Sequence, residues 1–246
     1  MSKLLSRLII LLVGIGVVLS IVFDQQEYSA SYDVNEVTPD WAAIAAWPNL
    51  EANEVEARPD PNRAFTAIIL DDSGSMGGDI DAAKAAVIAA LEAMAPEDRV
   101  AVIALNAGQI LPFTQVAEAA APLTTALARV RSDGTTPLSD AVKAARLALA
   151  SEAMVAGAFG TYRMLVTTDG VADDPGALQT EIEDIARTTP IQIATIGVGI
   201  TGGHILRRDD LGAFVAIDDV SQLEAALRDA IAEEQTFSAI TNFGGN

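Results

Sequence analysis

The sequence predicts an α/β domain built on a doubly wound, mostly parallel sheet flanked by helices. Three observations lead to this prediction. Strand-like and helix-like segments alternate from residue 64 onward, most of the strand-like segments are nearly continuous apolar runs, and polar residues gather directly after them. Strands covered by helices on both faces have this continuous apolar character, and a βαβ alternation gives parallel pairing.

Six strands are predicted, and helical patterns separate most of them. The strand candidates are 64–70, 99–105, 109–113, 162–168, 191–198 and 213–217. Apolar residues in the helical segments recur at the spacing of one helix face, as Leu138, Val142 and Leu149 do. The last helix should begin at a capping box formed by Ser221 and Glu224.

The N-terminal residues have a different character from the rest of the chain. Residues 8–23 carry no charge, which corresponds to about 24 Å of helix, and Lys3 and Arg7 precede them. Because basic residues stay on the cytoplasmic side, residues 1–23 are predicted to be an uncleaved signal anchor, a single transmembrane helix. The remainder should lie outside the cytoplasmic (inner) membrane, in the periplasm of a bacterium.

A cleaved signal peptide is the alternative interpretation of this segment. The nearest small residues are flanked by Tyr28 and Tyr32, which makes a poor cleavage site. Downstream of the anchor, the sequence divides into an acidic, proline-containing stalk over 24–62, a globular domain over 63–235 and a tail over 236–246.

One part of the predicted stalk has helical character. Trp41 and Trp47 end a short alanine-rich run that Pro39 and Pro48 bracket. This pattern predicts a short helix with an aromatic ring at each end. The helix is expected to pack onto the domain, and insertion at the membrane interface is the alternative.

Composition excludes several classes of function. The formal net charge is -19, which makes nucleic acid an improbable partner. The chain has no cysteine and one histidine, so thiol catalysis, zinc–thiolate sites and histidine-rich metal sites are excluded. His204 is expected to be a surface or capping residue, and the run Arg207 to Asp210 is expected to be a solvated patch with compensating charges.

Polar side chains follow two of the predicted strands at the point where each strand ends. Asp71, Ser73 and Ser75 come directly after the first strand, and Asp169 follows the strand over 162–168. The carboxyl ends of parallel strands meet at one edge of a sheet, so these side chains should lie close together. Glycines between them allow a tight turn, and hydroxyl and carboxylate oxygens are ligands for hard cations such as Mg²⁺.

Each of these elements, taken singly, is an ordinary turn or helix start. Asp, Ser and Gly are common turn residues, and Thr136 followed by Pro137 makes a good N-cap and first helical position. Their joint occurrence favours a metal site over three unrelated turns. The loop containing Thr136 connects two predicted helices and offers further hydroxyl groups.

Three segments together resemble a known family. Residues 71–76 (DDSGSM), 134–138 (GTTPL) and 167–170 (TTDG) are similar, in order and spacing, to the von Willebrand factor A domain with its metal-ion-dependent adhesion site. The resemblance covers about residues 64–235 and is closest to small, membrane-anchored bacterial members. It implies a Rossmann-like α/β fold.

The resemblance also implies a divalent cation, Mg²⁺ in the first place, with Mn²⁺ or Ca²⁺ as alternatives. The positions that match the family's metal-binding residues are Asp71, Ser73, Ser75, Thr136 and Asp169. In the family pattern the two serine hydroxyls bind the ion directly and the first aspartate acts largely through water. Thr135, next to the matching threonine, stays open as an alternative.

Such a site implies protein binding rather than catalysis. The expected partner is a protein that supplies one Asp or Glu carboxylate from a neutral or basic surface, because the acidic domain repels acidic ligands. The rival interpretations are a scaffold with a purely structural metal and a haloacid-dehalogenase-like, magnesium-dependent phosphotransferase. The phosphotransferase is disfavoured because Ser73 stands where that family has its general-acid aspartate.

Overall fold

The computed structural model describes residues 36–48, 63–208 and 210–235. Its strands form one six-stranded sheet and are β1 (Ala64–Leu70), β2 (Arg99–Ala104), β3 (Gly108–Gln115), β4 (Thr161–Thr168), β5 (Gln192–Val198) and β6 (Gly212–Ile217). Their order across the sheet is β3-β2-β1-β4-β5-β6. All neighbouring strands are parallel except β2 and β3. The predicted mostly parallel sheet is therefore confirmed.

Helices cover both faces of this sheet, as a doubly wound fold requires. They are α1 (Trp41–Ala46), α2 (Ile80–Ala90), α3 (Val116–Leu127), α4 (Leu138–Ala156), α5 (Pro175–Thr188) and α6 (Leu223–Gln235). Helices α2, α3 and α6 pack with one face of the sheet, and α4 and α5 pack with the other. Each face thus has its own apolar core.

The central strand β1 shows why the sequence folds in this way. All of its residues are buried, and successive side chains point to opposite faces of the sheet. Ile68 and Leu70 enter the core beneath α2, α3 and α6, whereas Ala67 and Ile69 enter the core beneath α4 and α5. A strand that is apolar at every position except Thr66, and buried throughout, is typical of the middle of such a sheet. Its carboxyl end places Asp71 at the centre of one sheet edge.

The last helix begins differently from the prediction. A 3₁₀ turn, Val220–Gln222, precedes α6, and the Asp219 carboxylate caps this turn by accepting a hydrogen bond from the Ser221 amide at 2.8 Å. The capping box predicted for Ser221 and Glu224 is therefore wrong by one turn. The capping residue is Asp219, whose carboxylate accepts from a backbone amide that has no partner within the helix, and Ser221 lies inside the turn that Asp219 caps.

Part of the predicted stalk lies against the domain. Residues 36–48, called the strap below, contain the predicted short helix, which Asp40 caps by accepting from two backbone amides. Trp47 is buried and meets the ring of Tyr162 edge to face, with 4.8 Å between ring centroids. Trp41 is 74% exposed. Packing onto the domain is thus confirmed for Trp47 and not for Trp41.

Replacing Trp47 by alanine is expected to lower the free energy of unfolding by about 3 kcal/mol, because it removes a buried indole and leaves a cavity. Trp41→Ala is the matched control, since it removes the same side chain from an exposed position of the same segment. Denaturant unfolding measures both. Equal effects of the two substitutions would show that the strap does not contribute through Trp47.

The predicted anchor over 1–23 and the tail over 236–246 lie outside the described residues, as does most of the predicted stalk. Within the described ranges, every helix is too short or too polar to cross a bilayer.

Candidate metal centre

Asp71 joins the loop after β1 to the loop after β4. Its side chain is fully buried. The Oδ1 atom accepts a hydrogen bond from the Ser73 amide at 2.9 Å. The Oδ2 atom accepts from the Thr168 hydroxyl at 2.9 Å and from the Asp169 amide at 3.3 Å. One carboxylate therefore fixes two loops that are far apart in sequence.

A chain of hydrogen bonds connects the serine hydroxyls to Asp169. Ser75 Oγ donates to Asp169 Oδ1 at 2.7 Å, and the Ser73 and Ser75 hydroxyl oxygens lie 2.9 Å apart. Because the single Ser75 proton goes to Asp169, Ser73 donates to Ser75. The 3₁₀ turn Gly74–Asp79 makes this convergence possible, and Gly77 within it has φ of 31°. That left-handed conformation favours glycine.

The loop before α4 lies against the same turn. The Ser132 hydroxyl donates to the Ser73 carbonyl at 2.7 Å, and the Gly74 amide donates to the Gly134 carbonyl at 3.2 Å. These contacts hold residues 132–136 beside the serines. The predicted segment 134–138 therefore lies at the same edge of the sheet as the segments 71–76 and 167–170.

The structure distinguishes Thr136 from its neighbour. Thr136 is buried, and a Cβ built on Gly170 would lie 3.9 Å from its hydroxyl oxygen, which places that oxygen beside the turn after β4. Two hydrogen bonds with Asp173 fix the backbone of Thr136. The Thr136 amide donates to Asp173 Oδ1 at 3.1 Å, and the Asp173 amide donates to the Thr136 carbonyl at 3.0 Å. Thr135 is exposed, and its carbonyl accepts from Asn106 at 2.9 Å.

Two residues that support this arrangement were not identified from the sequence. Asp72 is buried, and its carboxylate accepts hydrogen bonds from the backbone amides of Asn106 at 2.7 Å and Ala107 at 3.0 Å. Asn106 Nδ2 lies 3.3 Å from Asp72 Oδ1 and also donates to Thr135. Asp72 and Asn106 thus link the serine turn, the β2–β3 turn and the threonine loop. The link depends on strand order, which no local pattern reveals.

The electrostatics of this edge are dominated by carboxylates. Burial raises the pKa of Asp169; the hydrogen bond from Ser75 opposes this shift, and the charges of Asp71 and Asp79 add to it. Asp79, Asp133 and Asp173 are exposed around the same edge. The centre therefore combines three buried side chains (Asp71, Ser73 and Thr136), a partly buried Asp169 and an exposed Ser75 with an acidic rim.

These residues fit a hard divalent cation. The donor set consists of two carboxylates and three hydroxyls, without nitrogen or sulfur, which suits Mg²⁺ and related ions. Within the described ranges, no lysine or arginine forms an ion pair with Asp71 or Asp169. No cluster of three or more His, Cys, Asp or Glu side chains suited to a metal occurs in those same ranges, so a cation here depends on the hydroxyls.

Two sequence expectations about the loop after β5 are borne out in part: His204 acts as a capping residue and Arg208 has its charge compensated by Asp210, but neither side chain lies at the surface. His204 is buried, with Nδ1 accepting from the Leu206 amide at 3.2 Å and Nε2 lying 3.1 Å from the Gly170 carbonyl. It packs beneath the turn that carries Asp169. Arg208 is also buried and pairs with Glu183 and Asp210, so it is not part of a solvated patch. The contacts with Gly170 and Glu183 join segments that are distant in sequence, so local sequence patterns do not reveal them.

His204 should make folding stability depend on pH. Burial lowers its pKa, the Gly170 hydrogen bond opposes this, and the charge of Arg207 lowers the pKa further. In the unfolded chain this histidine takes up a proton near pH 6.5, whereas the folded protein resists protonation. The free energy of unfolding should therefore fall as pH drops below about 6.5 and stop falling below the folded-state pKa. Denaturant unfolding between pH 8 and 5 measures this, and His204→Gln should flatten that part of the profile.

Known proteins share this architecture. Residues 66–172 match the family model for the von Willebrand factor type A domain. The fold is that of a von Willebrand factor type A domain. No curated protein sequence matches the chain. Among solved structures, a von Willebrand factor type A protein from Catenulispora acidiphila is 21% identical, with a TM-score of 0.57 over 70% of this chain and 42% of that one.

Two further solved structures with a similar fold have lower identity. The pilus adhesin SpaC from Lactobacillus rhamnosus GG is 14% identical, with a TM-score of 0.57 over 73% of this chain and 30% of SpaC. The manganese-loaded TRAP protein of Plasmodium vivax is 13% identical, with a TM-score of 0.50 over 70% of this chain and 74% of that one. This chain spans less than half the length of the Catenulispora protein and of SpaC. At these identities the likeness establishes the fold.

Proposed function

We propose that this protein is a divalent-cation-dependent protein-binding module for adhesion or assembly. Its A-type domain would hold Mg²⁺, with Mn²⁺ or Ca²⁺ as alternatives, at a metal-ion-dependent adhesion site. The observation that carries the proposal is the hydrogen-bonded chain Ser73–Ser75–Asp169, backed by Asp71 and flanked by Thr136. It joins donors from three distant segments at one edge of the sheet.

The chain's own residues would divide the work of binding. The Ser73 and Ser75 hydroxyls would bind the ion directly, while Asp71 and Asp169 would compensate its charge. The Thr136 hydroxyl, beside Gly170, would complete the protein's part of the coordination. When bound, the cation supplies a positive centre to which a carboxylate from outside the domain can coordinate.

The charges around the centre indicate the kind of partner. Asp79, Asp133 and Asp173 form an exposed acidic rim. A carboxylate approaching this rim is repelled until it reaches the ion, although salt screens the repulsion beyond about 8 Å. The partner should therefore present one Asp or Glu from a neutral or basic surface, where Lys or Arg side chains meet the rim.

Two of the proteins with similar structures support this proposal. SpaC is a pilus adhesin, and the Plasmodium vivax TRAP protein is loaded with manganese. We infer binding rather than catalysis because a serine occupies the position at which a haloacid-dehalogenase-like enzyme has its general acid. A purely structural metal can be distinguished from a metal that binds the partner, because it would change the stability of the domain without changing partner binding.

We further propose that residues 1–23 anchor the chain in the cytoplasmic membrane as a single helix, with the domain on the periplasmic side. The charge asymmetry of Lys3 and Arg7 before the apolar run 8–23 carries this proposal. Fractionation of cells that express the chain, followed by protease treatment of spheroplasts, tests it. A chain recovered in the soluble fraction, or one protected from the protease, would contradict it.

Partner binding is expected to require both the cation and the serine hydroxyls. The full-length chain in detergent is used to capture membrane-associated proteins after cross-linking, with Mg²⁺ or with excess EDTA. The same proteins should be retained with Mg²⁺ and lost with EDTA, and also lost with the Ser73→Ala/Ser75→Ala variant in Mg²⁺. Retention that is unaffected by EDTA would refute cation-dependent binding. A melting temperature that rises with Mg²⁺ while capture stays constant would indicate a structural metal.

A further inference from the structure

The short helix α1 has an inner face that packs on the domain and an outer face that does not. The inner face carries Ala43 and Ile44, and Trp47 directly after the helix continues it. At 100° per residue, the other residues of α1 point the opposite way. They form an outer face of four exposed apolar residues, which are Trp41, Ala42, Ala45 and Ala46. This outer face has no charge, and its largest side chain, Trp41, is 74% exposed.

The surface next to α1 adds to this apolar character. Leu147 of α4 is 52% exposed and borders a groove of about 400 Å³ together with Ala43 and Pro48. Single exposed apolar side chains are normal on a protein surface, but here a tryptophan and a leucine lie beside the same short helix. Such a surface is typical of contact with a protein or a membrane.

The strap holds α1 on the domain at both of its ends. Before the helix, the Val37 amide donates to Asp210 Oδ2 at 3.0 Å, and the Asp40 amide donates to the Arg187 carbonyl at 2.8 Å. After the helix, Trp47 is buried. The outer face of α1 is therefore part of the surface of the domain, and whatever binds it fixes the orientation of the whole domain.

The charges beside α1 do not form a basic surface. Arg146 pairs with Glu181 and Asp184, and Arg187 also pairs with Asp184. Asp40, at the start of α1, is exposed and adds a further negative charge. Anionic lipid headgroups or an acidic protein would gain little from this surface. A binding surface without net charge, such as a zwitterionic bilayer, fits it better.

The length of chain before the strap keeps α1 close to the proposed anchor. Twelve residues, 24–35, separate the proposed anchor from the strap. Their covalent geometry limits this distance to at most about 43 Å. A bilayer that holds the anchor is thus present at a high effective concentration, which a partner from solution lacks. A second copy of the chain is disfavoured, because each copy has a formal net charge of -19.

We propose that the outer face of α1 binds the membrane surface, with the indole ring of Trp41 at the level of the lipid headgroups. This inference rests on the anchor proposed above for residues 1–23. Tryptophan favours this level because its ring is apolar, while its N–H can donate to polar groups of the interface. The ligand is the bilayer interface itself, and a charged headgroup is not required.

Membrane binding through α1 leaves the candidate metal centre in water. The strap contacts the end of the sheet at which the parallel strands begin, since Asp210 comes two residues before β6 and Arg187 lies near the end of α5. The metal centre lies at the carboxyl edge, and the seven residues of β1 span about 23 Å between the two edges. The acidic rim also disfavours contact with lipid phosphates. The centre is therefore open to a partner that approaches from the aqueous side.

Quenching of tryptophan fluorescence by brominated lipids tests the contact. The chain has two tryptophans, so Trp47→Phe leaves only Trp41, and Trp41→Phe leaves the buried Trp47 as the matched control. Both full-length variants are reconstituted into vesicles of phosphatidylcholine, with or without bromine on the acyl chains. Bromine should lower Trp41 emission at least about 2-fold, because an interfacial side chain lies only about 5–10 Å into the boundary between headgroups and acyl chains. Trp47 emission should stay unchanged.

Flotation of the same vesicles distinguishes a failure of this inference from a failure of the anchor. A chain that does not float with the vesicles would refute the anchor and, with it, the contact through α1. A chain that floats while Trp41 is not quenched by bromine would leave the anchor standing and overturn the contact alone. If that unquenched Trp41 also resisted iodide in the water, another protein segment or a second copy would cover the outer face, which equally overturns the contact.

Nitroxide labels provide a second readout that keeps both tryptophans. The protein has no native cysteine, so Ala45→Cys and Val171→Cys each accept a single label. Ala45 lies on the outer face of α1, whereas Val171 is 47% exposed two residues after Asp169 of the metal centre. In the vesicles, electron paramagnetic resonance should show the label at 45 relaxed mainly by lipid-soluble oxygen and the label at 171 mainly by a water-soluble nickel complex. Equal access of the nickel complex to both labels would overturn the proposal.

Discussion

Replacing Ser73 and Ser75 together by alanine is expected to lower the affinity for Mg²⁺ and Mn²⁺ by at least about 100-fold. The substitution removes both hydroxyls that are proposed to bind the ion directly, and even the loss of a residue that only orients a ligand costs about 10- to 100-fold. Isothermal titration calorimetry with Mg²⁺, and electron paramagnetic resonance with Mn²⁺, measure the change.

The same variant should keep its fold in the absence of metal. The two hydroxyls hydrogen-bond to each other, so removing both leaves only the partly exposed Asp169 Oδ1 without its donor. Removing both partners of a hydrogen bond is nearly neutral. Ser151→Ala with Thr180→Ala is the control, because each of these exposed hydroxyls bonds only to the carbonyl four residues earlier. If the control lost as much affinity as the serine variant, the ion would be bound elsewhere.

Asp72→Ala is expected to lose both stability and metal affinity. Its carboxylate accepts from the amides of Asn106 and Ala107, and the Asn106 side chain continues to Thr135. Loss of these hydrogen bonds should cost about 2 kcal/mol of unfolding free energy. The threonine loop then loses part of its support, so Mn²⁺ affinity should fall about 10-fold, as for other orienting residues.

Asp98→Ala is the control for Asp72→Ala, because it distinguishes the loss of support for the threonine loop from a general loss of stability. Asp98 is also buried and accepts from two backbone amides, of Ala64 at 2.8 Å and Ala95 at 3.2 Å, at the opposite edge of the sheet. It should lower stability by a similar amount and leave Mn²⁺ affinity unchanged under conditions where both variants are folded. Equal losses of affinity would show that Asp72 acts through global stability alone.

The sequence was sufficient where structure is determined locally. The apolar run of β1 and the polar residues directly after it predict both a central strand and the position of Asp71. The alternating side chains at 71, 73 and 75, separated by glycines, predict their convergence. The structure brings these residues together with Thr136 and Asp169, although the proposed ion itself rests on the resemblance and on the chemistry of the donor set.

Contacts between segments that are distant in sequence could not be predicted. Asp72 resembles an ordinary turn residue until the order of β1 and β2 brings Asn106 to it. His204 and Arg208 lie in a polar loop whose pattern indicates exposure, yet both are buried because that loop folds back onto Gly170 and α5. Their burial depends on tertiary packing, which short-range periodicity does not encode.

The position of a bound ion tests the central claim most directly. Crystals of the protein soaked in MnCl₂ and measured at the manganese absorption edge would locate it by anomalous scattering. One strong peak is predicted, enclosed by the side chains of Asp71, Ser73, Ser75, Thr136 and Asp169. A map without a peak there, or with manganese only at acidic residues elsewhere on the surface, would contradict a cation-dependent binding site.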